Sequence, residues 1–100
     1  MAVTIDQIVE KFDREIAGDL RVRSLMEQVN SGKATYADAS ELSSLTGRKL
    51  GRILADAIGD HEVPDDRIRL VLDRSCLANY NVVSDAVEKV QKSLNERAGI

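Results

Sequence analysis

The reading of this chain turns on Asn30–Gly51, NSGKATYADASELSSLTGRKLG. Ser31-Gly32 has the chemistry of a helix end, because glycine tolerates the left-handed conformation that closes many helices. Thr35 is placed to cap the free N–H groups of a new first turn, and Asp38 sets a carboxylate at the positive helix end. From there Leu42, Leu45, Leu50, Ile53, Leu54, Ala57 and Ile58 supply a buried side, and Gly59 marks the stop. The stretch therefore predicts the end of one helix and a long second helix over about 35–58.

Two glycines inside that helix each cost about 1 kcal/mol relative to alanine, so something must offset them. Ala39, Ser43, Gly47, Gly51, Ala55 and Gly59 recur every fourth residue, a stripe of small side chains that lets another helix backbone come close. The approaching helix belongs either to this chain or to a second molecule. Arg48, Lys49 and Arg52 lie in the same segment. Ala39, Ser43, Gly47, Arg48, Lys49, Gly51, Arg52 and Ala55 together form the candidate interaction face.

Working outward, Thr4 to Gln7 has the form of a capping box ahead of Ile5, Ile8, Val9, Phe12 and Ile16, which share one helical face. The phase slips after Gly18, and Val22, Leu25, Met26 and Val29 form a second set. This predicts a helix over about 5–30, kinked or interrupted near Gly18-Asp19. After the polar loop GDHEVPDD, Pro64 suits a first helical position and Asp65-Asp66 a first turn, opening a helix over about 65–78. Ile68, Val71, Leu72 and Ser75-Cys76 continue it, and Asn79 to Asn81 marks a bend. Val83, Ala86, Val87, Val90 and Leu94 place a last helix over about 82–98. The expected fold is all-α, a small antiparallel bundle of four helices, or five if Gly18 breaks the first.

The bulk numbers agree with one domain. The chain has 100 residues, 43% hydrophobic and 31% charged, and its only aromatic residues are Phe12, Tyr36 and Tyr80, so the core must be aliphatic. A net charge of −3 argues against a free-standing nucleic-acid binder. The lone Cys76 excludes an internal disulfide and a cysteine-based zinc site, and its apolar flanks predict a buried thiol. No apolar run approaches the ~20 residues of a membrane span, and the N-terminus lacks the pattern of a secretory signal, so a cytosolic start is expected.

Several chemical motifs fail on spacing. Gly32-Lys33-Ala34-Thr35 lacks the first glycine of a phosphate loop, separates its lysine from its threonine, and follows a helix instead of a strand. Ser43, Gly47 and Ile53 have the spacing of a helix-turn-helix, with Arg48, Lys49 and Arg52 available to phosphates or bases. Thr46 and Arg48, however, flank Gly47 where such motifs place apolar residues. His61 stands among Asp60, Glu62, Asp65 and Asp66, a set better explained by a solvated loop and helix-start carboxylates than by a metal site. No nucleophile–base constellation is visible, so no enzyme activity and no cofactor are expected.

Two segments carry a family resemblance. SGKATYADA, Ser31 to Ala39, and VQKSLNERAGI, Val90 to Ile100, resemble the N-terminal helical region of prophage-encoded minor head or head-morphogenesis proteins of Gram-positive bacteria. Gly47, the Pro64-Asp65-x-Arg67 start and Asn79-Tyr80 lie where that family has comparable features. The resemblance implies a structural module in virion assembly, acting in the bacterial cytoplasm or in the virion and binding other virion subunits or its own copies. It also implies a longer protein, of which this chain is the N-terminal part. The alternative is a small DNA-binding or regulatory protein using the segment around Gly47.

Overall fold

A computed structural model describes residues 4–58, 64–77 and 83–98 of the chain. Thr4 opens α1 (Ile5–Ala17): its hydroxyl accepts the Gln7 N–H at 3.2 Å, and the Gln7 side chain accepts the Thr4 N–H at 2.9 Å. Each group thus satisfies a donor that the helix end leaves free. Of the two outcomes expected near Gly18-Asp19, a kink or an interruption, the chain takes the interruption. Asp19 is extended (φ −99°, ψ 110°), and its carboxylate accepts the N–H groups of Arg21 and Val22, starting α2 (Leu20–Asn30). A separate cap makes this a break, not a kink.

α2 ends as its sequence dictates. Gly32 takes φ +75°, its N–H donates to the Val29 carbonyl, and the Lys33 N–H donates to the Gln28 carbonyl. These two bonds close the last carbonyls of the helix in a left-handed turn. Thr35 and Asp38 then exchange bonds across the next first turn, and α3 (Tyr36–Ile58) runs 23 residues without a break. At 1.5 Å per residue α3 is roughly 34 Å long, most of the 41 Å long axis of the molecule.

α4 (Asp65–Arg74) is shorter than the span predicted over 65–78. Ser75 turns extended, its hydroxyl donates to the Leu72 carbonyl at 2.8 Å and accepts the Leu77 N–H, so serine ends the helix early. Pro64 stands one place ahead of the predicted position, at the cap itself. α5 (Val83–Ala98) agrees with the prediction within a residue. The stop at Gly59, the loop holding His61 and the bend at Asn79 to Asn81 lie outside the described residues.

The described residues form five helices and no strand, a small all-α bundle. Phe12, Ile16, Leu25, Leu42, Leu50, Leu54, Ile68, Leu72 and Leu94 are among its fully buried side chains. α3 is the spine. Asp19 meets Lys49 and Arg21 meets Glu41, so the α1–α2 junction is pinned along α3 in the opposite sense. On the other flank Gly47 lies against Lys89 and Val90, and Gly51 against Ser93. Contact positions rise together there, so α5 runs beside α3 in the same sense. That sense agrees with an antiparallel bundle, because α4 intervenes and returns the chain before α5 begins.

Candidate interaction face

The small-residue stripe is covered from inside the chain. Ser43 is fully buried, and a Cβ built on Gly47 would meet the Lys89 Cβ at 2.6 Å and the Val90 nitrogen at 3.1 Å. One built on Gly51 would meet Ser93 Oγ at 2.7 Å. Burying one large aliphatic side chain contributes about 1.5–3 kcal/mol. Closing the seam over Leu50, Leu54, Val90 and Leu94, all buried, therefore outweighs the helix penalty of two glycines, about 1 kcal/mol each. Ser43, Gly47 and Gly51 belong to this seam and are removed from the outward face; Ala39 and Ala55 are half-buried at its ends.

The three cations of α3 part company. Lys49 Nζ lies 3.1 Å from Asp19 Oδ2, both side chains being largely covered. The Val22 N–H, then Lys49, hold the Asp19 carboxyl below its ordinary range. Lys49 is thus a fastener between α3 and the start of α2. Nearby, the Arg21 guanidinium grips Glu41 with two bonds of 2.6 and 2.7 Å and lowers the Glu41 carboxyl in the same way. Arg48 and Arg52 remain exposed.

The parallel seam brings α5 residues beside them. Ser44, Arg48, Lys89, Lys92, Ser93 and Glu96 line a recess of about 50 Å³, and Arg48, Arg52, Ser93 and Glu96 line an adjoining groove of about 330 Å³. Among the described residues, none of Arg48, Arg52, Lys89 and Lys92 makes an ion pair. Sequence reading missed Lys89 and Lys92, and the signal for them was weak. Both stand on a helix forty residues from Arg48, and only the register of the seam sets them together.

Other surfaces are less specific. A cleft of about 460 Å³ between α1 and α3 is bordered by Gln7, Glu10, Lys11, Arg14, Ile53 and Asp56. Glu10 and Arg14 are paired there at 2.9 Å across one helical turn, both exposed to water, an arrangement of little energetic weight. No group of His, Cys, Asp or Glu among the described residues converges as a metal site. No helix among them is long and apolar enough to cross a membrane.

Two motif expectations are corrected or reassigned. α3 passes straight through Gly47, so the turn that a helix-turn-helix needs is not there. Lys33 and Thr35 are a helix-closing turn and a helix cap, with Lys33 exposed. Cys76 is exposed instead of buried, because Ser75 and Leu77 take the inward positions on either side of it. Its N–H donates to Asp13 at 3.1 Å, and partial burial together with the Asp13 carboxylate pushes the thiol up to about 11. Burial first, and then the Asp13 charge, therefore hold the thiol in its neutral, less nucleophilic form.

Compared with protein-family models, with curated proteins and with solved structures, the chain matches none.

Proposed function

We propose that this chain is a protein–protein docking module of a phage or prophage virion-assembly protein. The observation behind the docking reading is the α3–α5 seam. Two parallel helices are locked nearly backbone to backbone at Gly47 and Gly51, and Arg48, Arg52, Lys89 and Lys92 stand outside it without partners among the described residues. Rigid elements carrying unneutralised charge suit recognition, since little ordering remains to be done on binding.

The virion setting is supported by the resemblance of Ser31–Ala39 and Val90–Ile100 to prophage head proteins. In this reading the chain acts by binding, in the bacterial cytoplasm during assembly and in the finished particle, and no reaction or cofactor is assigned to it. The apolar positions of the five helices hold the bundle. The outward charges select the partner.

The test is direct. The purified chain is mixed singly with the portal, capsid and other head proteins encoded beside it, and complexes are read by native mass spectrometry. A defined stoichiometric complex with one of them is the expected result. No complex with any of them overturns the proposal.

A further inference from the structure

We infer that the groove along the α3–α5 seam receives an acidic helical segment of a protein partner, an inference that rests on the docking reading and names the partner's chemistry. Arg48 and Arg52 stand one helical turn apart, a rise of about 6 Å. Lys89 and Lys92 follow the same direction on α5, because the seam is parallel. Arg48, Lys89 and Lys92 therefore border a recess with Ser44 and Ser93, and Arg52 extends the cationic α3 side along the adjoining groove. Carboxylates spaced three or four residues apart on one face of a helix repeat at the same interval. Glu96 lines the recess and the groove as well, and offers one acceptor to a basic residue of the incoming segment.

Charge and spacing favour an acidic segment over a nucleic acid. The chain carries a net charge of −3, so its long-range field repels an extended polyanion. At physiological salt, charges beyond about 8 Å are screened, so a short segment seated in the groove responds mainly to these four cations. A duplex presents a charge about every 1.7 Å of its axis, a denser row of anions than helix carboxylates one turn apart and a poorer match to cations one turn apart. Lys89 is half-buried with its Cβ against Gly47, so its stem is held before either kind of partner arrives.

The experiment uses the intact chain and two labelled probes. One is an alanine-based helical peptide with glutamates at i, i+4 spacing; the other is a short duplex DNA. Binding is read by fluorescence anisotropy at low and physiological salt, with amide chemical shifts locating the contact. Expected is peptide binding with shifts along the α3–α5 seam, weakened at least about tenfold by Arg48→Glu with Arg52→Glu. Both positions are exposed, and an unchanged helical circular dichroism spectrum confirms the fold of the variant. Arg69→Glu on α4 serves as the control and leaves binding unchanged. Three results overturn the inference: duplex bound more tightly than peptide, peptide binding indifferent to the double reversal, or no peptide binding. Self-association abolished by the double reversal also overturns it, in favour of a second copy as occupant. A head-protein complex that survives Arg48→Glu with Arg52→Glu sinks this inference and leaves the docking reading standing.

Discussion

A Cβ placed on Gly47 would stand 2.6 Å from the Cβ of Lys89, closer than such atoms approach one another in real structures. The carbonyl carbon of Lys89 and the nitrogen of Val90 follow at 3.0 and 3.1 Å, so the obstacle includes backbone and cannot swing aside. Helix propensity alone favours alanine over glycine by about 1 kcal/mol. Overpacking a tight contact costs about 1–3 kcal/mol, occasionally more. Gly47→Ala is therefore expected to lower the urea midpoint of the chain. A raised midpoint would show that α5 does not lie against α3 at this point.

Gly51 meets a softer neighbour. Its closest contacts are the Oγ and Cβ of Ser93, at 2.7 and 2.9 Å, while the nearest backbone atom, the Val90 oxygen, is at an ordinary 3.5 Å. Gly51→Ala should destabilise the chain, and Ser93→Gly should recover most of that loss. A double-mutant cycle in chemical denaturation is expected to give a coupling of about 0.5–2 kcal/mol. Simple additivity of the two changes would disprove the contact.

Asp19 both caps α2 and pairs with Lys49, and two substitutions separate these roles. Asp19→Ala removes both and is expected to cost about 1 kcal/mol. Asp19→Asn keeps an oxygen for the Arg21 and Val22 N–H groups and should cost less. The pH dependence follows from the lowered carboxyl. A group with a folded pKa below its unfolded value contributes fully above the ordinary carboxylate range, near ~3.9, and loses that contribution as pH falls through the lowered value. The stability gap between the wild-type chain and Asp19→Asn should therefore be constant near neutrality and shrink in acid. A gap that widens in acid would reverse the assignment.

Cys76 is exposed, with its thiol raised to about 11 by partial burial and by Asp13. At pH 8 its thiolate population is about two orders of magnitude below that of a free cysteine with pKa ~8.5. Alkylation should accordingly be slow at pH 8 and accelerate up to about pH 11. Asp13→Asn should speed it by removing a neighbouring negative charge. An alkylation rate like that of free cysteine, levelling off near pH 9, would show that the thiol is not held neutral.

Much of the fold was legible because it depends on neighbours within four residues. The Thr4–Gln7 box, the left-handed Gly32 and the Thr35–Asp38 exchange are short-range hydrogen bonds written in residue type and spacing. The phase slip after Gly18 marks where the helix changes course, while the choice between a kink and a break depends on whether the Asp19 carboxylate turns to cap α2. The end of α4 was overrun, since apolar spacing continued through Ser75 while its hydroxyl took a backbone carbonyl instead.

The candidate face was half legible. Period-four glycine and serine demanded a close neighbour, and that demand is a local consequence of helix geometry. Which neighbour answers it is a tertiary matter: Lys89, Val90 and Ser93 reach the stripe from forty residues away. The same register buries Ser43, Gly47 and Gly51, draws Lys49 toward Asp19, and sets Lys89 and Lys92 beside Arg48 and Arg52. The sequence by itself determined where helices start, stop and carry their apolar sides, because those follow from capping and a 3.6-residue period. Only the tertiary structure decided that α5 runs parallel to α3 and which cations share a surface. Those outcomes depend on contacts between residues far apart in the chain, settled by packing the whole core at once.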